Sequence, residues 1–124
     1  MRLLPLLLLS TACAATGAGP SGGEAEPPLE LAGRIAGAER DCVAMSSGAN
    51  LVPRGRRTLV YRDGDTIWVN RLAASCPGLD EMSQILIEVH ASQYCRGDHF
   101  QALDSGQSVP GPVCVLGSFT PYRR

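Results

Sequence analysis

The stretch RTLVYRDGDTIWVNRL, Arg57 to Leu72, holds the clearest structural signal in the chain. Two runs rich in β-branched and aromatic residues flank Asp63-Gly64, and that dipeptide between β-forming runs is a hairpin signature. A type I′ turn on Asp63 and Gly64 predicts pairing of Arg62 with Asp65, Tyr61 with Thr66, Val60 with Ile67 and Leu59 with Trp68. Side chains alternate across a strand. One face therefore carries Thr58, Val60, Ile67 and Val69, and the other carries Leu59, Tyr61 and Trp68. Both faces are partly apolar. The aliphatic face is expected to look into the core. The aromatic face is then covered by the N-terminal segment or left as a binding platform of Leu59, Tyr61 and Trp68.

Outward from the hairpin, QILIEVH (Gln84 to His90) alternates, with Ile85, Ile87 and Val89 opposite Leu86, Glu88 and His90. After a polar turn at Ser92, YCRGDHFQAL (Tyr94 to Leu103) reads as a strand region. Beyond Pro110-Gly111-Pro112, VCVLGSF (Val113 to Phe119) reads as another. With a strand at Cys42 to Met45, this makes five or six short strands and no long helix. The expected fold is all-β, a small antiparallel barrel or sandwich, because strands at this spacing need closure or two layers to hide their edges. Residues 29–38 are the one candidate for a short helix, opposed by Gly33 and Gly37.

The N-terminus has the parts of an export signal: Met1-Arg2, an apolar run from Leu3 to Leu9, and small residues 10–12. The apolar run is too short to span a bilayer, which takes about 20 residues. Ser-Thr-Ala-Cys at 10–13 resembles the bacterial lipobox, in which the cysteine is lipidated; cleavage before Cys13 would make it the first mature residue. Ala12-Cys13-Ala14 would instead allow cleavage after Ala14. The Gly/Pro/Ala-rich ATGAGPSGGEAEPP, Ala15 to Pro28, suits a tether. The expected layout is a signal over 1–12, a tether over 13–38 and a β-domain over 39–124. The protein is expected to be exported, either anchored to the outer membrane and facing the periplasm or soluble in the periplasm or medium.

A domain of this size buries limited apolar area, and exported domains of that kind are commonly stapled. Cys42, Cys76, Cys95 and Cys114 form an even set, so two disulfides are expected. Four cysteines allow three pairings. The favoured one joins the first and last strands through Cys42–Cys114, with Cys76–Cys95 as the second bond. Arginine and acid are balanced from residue 39 onward, which gives no field for nucleic acid. The chain has no lysine, which excludes Schiff-base chemistry and a phosphate-loop lysine. Pro53 to Arg57, PRGRR, reads as a solvated loop.

CPGL at Cys76 to Leu79, CRGD at Cys95 to Asp98 and VCVLGSFTP at Val113 to Pro121 follow the Asp-Gly hairpin in order. This arrangement resembles an uncharacterised family of small exported bacterial domains of unknown function. The resemblance covers residues 40–121 and implies an envelope-associated single domain. It transfers no activity, ligand or catalytic residue.

Each chemical candidate has a plainer reading. His90, Cys95 and His99, with Cys76, have spacing that could hold zinc, but export favours cysteine pairing, so no metal is expected. Glu88 and His90 share a strand face, and Asp98 or His99 could meet them for general acid–base work. On a half-solvated sheet such groups are more often surface residues. Arg96-Gly97-Asp98 fits a bulge or turn beside the cysteine. The sequence therefore favours a non-enzymatic binding module for an envelope or secreted protein, such as a hydrolase inhibitor, with no cofactor. The alternative is a small hydrolase or metal-dependent enzyme using His90 or His99 with Glu88 or Asp98.

Overall fold

The computed structural model describes residues 27–46 and 49–124. The expected signal, Cys13 and most of the tether lie outside these residues. The described chain is all-β and disulfide-stapled. A 3₁₀ turn at Leu29–Leu31 precedes ten short strands: β1 (Ile35–Ala36), β2 (Cys42–Ala44), β3 (Val52–Pro53), β4 (Thr58–Asp63), β5 (Thr66–Arg71), β6 (Gln84–Ile87), β7 (Gln93–Cys95), β8 (His99–Leu103), β9 (Val113–Val115) and β10 (Phe119–Arg123). They form a five-stranded sheet in the order β1-β10-β5-β4-β3, a ribbon β2-β7, and a three-stranded sheet β6-β8-β9. All pairings are antiparallel, and no barrel closes among the described residues.

The hairpin forms with its turn one residue later than expected. Asp63 pairs with Thr66 and Tyr61 with Trp68, so Gly64 and Asp65 make the loop. Gly64 has φ of 56° and Asp65 is not among the positive-φ residues, which fits glycine at the first central position of a type II′ turn. Moving the turn by one residue slides the partner strand by two, and a slide of two leaves every side chain on its predicted face. The faces are right and their roles are reversed. Leu59, Tyr61 and Trp68 lie in the main core with Val43, Tyr94, Phe100, Leu116 and Phe119. The aliphatic face, Val60, Ile67 and Val69, is a smaller second core capped by Leu31.

That cap corrects the N-terminal boundary. Leu31 is buried and β1 pairs with β10, so the fold begins inside the expected tether. Residues 29–38 form only the 3₁₀ turn followed by β1. Gly33, at φ of 73°, turns the chain, and Gly37 donates its N–H to the Pro121 carbonyl at 2.7 Å, which commits this segment to a sheet edge.

The disulfides are Cys42–Cys95 and Cys76–Cys114, a different pairing from the favoured one. The first strand region does touch the last: Arg40 and Phe119 exchange two backbone bonds of 2.8 Å. Two residues later the chain has crossed to β7, where Cys42 stands directly opposite Cys95. Closing loops of 53 and 38 residues removes enough unfolded-chain entropy to contribute about 4 kcal/mol each. Disulfides persist in oxidising compartments, so these two indicate an extracytoplasmic setting. No helix among the described residues is long and apolar enough to cross a membrane.

The sheets meet at a polar corner. Asn70 is fully buried, and its side-chain amide donates to the Gly117 carbonyl at 2.7 Å while its oxygen accepts the Gly117 N–H at 2.8 Å. A buried amide satisfied in this way carries little desolvation penalty. A Cβ on residue 117 would overlap the Arg71 carbonyl, so this close approach requires glycine. The ribbon is fixed through Tyr61, whose hydroxyl accepts the Ser46 N–H at 2.5 Å and donates to the Ala44 carbonyl at 3.1 Å. Tyr61 also meets Tyr94 edge to face, with centroids 5.3 Å apart.

Candidate functional site

The proposed aromatic platform is not on the surface. Leu59 and Tyr61 are fully buried and Trp68 nearly so. Their face packs against the second layer because it bears the larger apolar side chains, which gain most from burial. The guanidinium carbons of Arg40 and Arg123 lie 5.7 and 5.9 Å from the Trp68 ring centroid, adding cation–π contacts beside this core residue.

The chemical candidates disperse. Cys76 and Cys95 are spent in disulfides and cannot supply zinc thiolates or a nucleophile. No group of three metal-binding side chains converges among the described residues. His90 sits in an exposed turn that it closes by bridging to Gln93. Asp98 accepts the Cys95 N–H at 2.8 Å. Gly97, at φ of 90°, donates to the Leu116 carbonyl while Leu116 donates to Asp98. That exchange is a glycine bulge, the role expected of Gly97-Asp98.

Glu88 and His99 do come together. The β6–β8 register ends with Ile87 opposite Phe100, the chain neighbours of Glu88 and His99. Both line a shallow groove of about 300 Å³ with Leu86, Gln101 and Val113. They do not form an ion pair; among the described residues the one salt bridge is Arg54–Glu30 at 3.0 Å.

The groove lies on the outer face of the β6-β8-β9 sheet. Alternation sends Ile85, Ile87, Phe100, Ala102 and Cys114 toward the core and leaves Leu86, Val113 and Val115 exposed. Val113 and Val115 are 59% and 48% exposed, on a strand with no charged residue. The two valines were legible in principle: once Cys114 is known to be buried in a disulfide, its neighbours on a strand must point outward. The PRGRR loop has structural duties instead. Arg54 pairs with Glu30, and Arg57 donates to the Leu72 and Ala73 carbonyls.

Charge is segregated between the two sides of the fold. Residues 73–117, which hold the three-stranded sheet, contain Asp80, Glu81, Glu88, Asp98 and Asp104 against Arg96 alone. The other described residues carry nine arginines against five carboxylates. Among titrating groups Tyr94 departs from its ordinary value of 10.0: burial, then the neighbouring Tyr61, pushes it up.

No family model matches this chain, and no curated protein or solved structure matches it either.

Proposed function

We propose that this chain is an exported, non-enzymatic binding domain of the bacterial envelope. In this reading Cys13 carries a lipid anchor at the outer membrane, and cleavage after Ala14 would instead release the domain in soluble form. The observation that carries the binding role is the exposed apolar face of Leu86, Val113 and Val115 around the groove. Side chains of this kind on a rigid, stapled sheet suit protein recognition, because a preorganised surface has little left to order on binding. A hydrolase inhibitor is one concrete form of that role.

A photo-crosslinking residue at position 113, compared with one at the exposed Ile35, tests this in intact cells. A discrete crosslinked species from 113 alone, reconstituted afterwards with the purified partner, supports the role. Equal or absent crosslinking at both positions contradicts it. The anchor is tested separately by intact mass: a chain beginning at Cys13 with acyl groups supports it, and a chain beginning at Ala15 removes it.

The second reading, a small hydrolase, rests on Glu88 and His99 lining one groove. It requires that His99→Ala abolish a hydrolytic activity while leaving thermal stability unchanged.

A further inference from the structure

The free edge of β9 follows from hydrogen-bond parity. Leu116 donates to Asp98, so residue 116 faces β8; backbone groups alternate along an antiparallel strand, so Cys114, opposite Phe100, faces β8 as well. Val113 and Val115 must then direct their N–H and C=O groups away from β8. Among the described residues no strand lies beyond β9 in its sheet. Such an edge is a template for another strand. Its usual protections are few here: β9 is short and follows Pro112, but it carries no charge of its own.

Charge decides between occupants. A second copy paired on this edge would bring two acidic sides together, which costs energy and opposes association. A basic strand meets a field of opposite sign. We propose, resting on the binding-domain reading above, that the β9 edge accepts an extended segment of a partner protein by β-augmentation. That segment places apolar side chains beside Val113 and Val115 and carries flanking basic residues. The backbone of Val113 and Val115 supplies the hydrogen bonds, the two valines supply the apolar contact, and the acidic side of the domain selects the sign of the partner.

The test uses the purified full chain and three amidated peptides: Lys-Val-Thr-Val-Lys, its glutamate counterpart Glu-Val-Thr-Val-Glu, and the lysine peptide N-methylated at alternate amides. Binding is read by NMR shifts of the Val113 and Val115 amides. The lysine peptide is expected to shift both and to bind at least about tenfold more tightly than the glutamate peptide at low salt, a margin that shrinks as salt screens the charges. The N-methylated peptide is expected to lose binding. Val115→Pro removes an N–H that the fold does not use, so it should keep the melting curve and abolish binding. Equal affinity for the two unmethylated peptides overturns the basic preference. Binding that survives N-methylation, or shifts confined elsewhere, overturns the edge. If position 113 crosslinks a partner in cells while the lysine peptide leaves β9 unmoved, strand addition fails and the binding-domain reading stands. Absence of a partner crosslink from 113 defeats the reading beneath both.

Discussion

The corner between β5 and β10 and the outer face of β6-β8-β9 are built on opposite terms. At the corner every polar group of Asn70 is paired, Gly117 fits where no other residue does, and both faces of the hairpin are covered. On the outer face apolar side chains stay in water, and among the described residues β9 has a neighbouring strand on one side alone. A small stapled domain with a limited core gains stability from burying such groups. The outer face is also the part of the fold held by the acidic residues 73–117, and the binding role proposed above is read from it.

Among single substitutions the largest expected effect lies at the corner. Gly117→Ala forces a backbone shift against Arg71, and Asn70→Ala removes the partners of two backbone groups of half-buried Gly117, at a cost below the about 1–3 kcal/mol each that fully buried groups would carry. Chemical denaturation should show Gly117→Ala and Asn70→Ala among the least stable single variants. If both match the parent, the corner is not a closed joint and the contrast dissolves.

The hairpin was legible because Asp-Gly punctuates two alternating runs, and its faces survived a turn misplaced by one residue because strand periodicity is two. Which face meets the core was not legible. Both are apolar, and the choice depends on distant partners such as Phe100 and Phe119. Strands β1 and β3 are two residues long and contain or adjoin glycine or proline, too short for any alternation to register. Cysteine parity gave two disulfides but not their partners, since pairing depends on where the chain crosses after Arg40. For the site, Glu88 and Leu86 were placed on one strand face and His99 was offered as a residue that could meet Glu88, whereas the approach of Val113 needed the order β6-β8-β9.

The two disulfides extend the same contrast through the difference between two double replacements. Cys76 and Cys114 are buried, while Cys42 is exposed and Cys95 half-buried. Their loop entropies are similar, so replacing Cys76 and Cys114 together with alanine should cost more than replacing Cys42 and Cys95, by the packing lost in the core. Equal losses by thermal melting would remove the distinction between a closed interior and a lighter ribbon.

Smaller effects are expected beyond the corner. Ala91 and Ser92 hold φ of 55° and 56°, values that suit glycine, so Ser92→Gly should raise stability by up to about 1 kcal/mol in urea titrations. A loss instead would show the turn held by its side chains. Because Tyr94 ionises at higher pH in the folded chain than in the unfolded one, its protonated form favours folding. Its contribution is fully present below pH 10 and lost as pH rises through the folded value. Tyr94→Phe should flatten that alkaline slope. Smallest of all, Val113→Thr on the open face should stay within about 0.5 kcal/mol of the parent.

The most direct measurement is residue-resolved amide hydrogen exchange on the full chain. Cys114 and Leu116 are expected to be protected through their bonds to β8, while Val113 and Val115 exchange rapidly at the open edge of the same strand. Strong protection of Val113 and Val115, equal to that of Cys114, would mean that the edge is already paired, and the proposed docking surface would not exist.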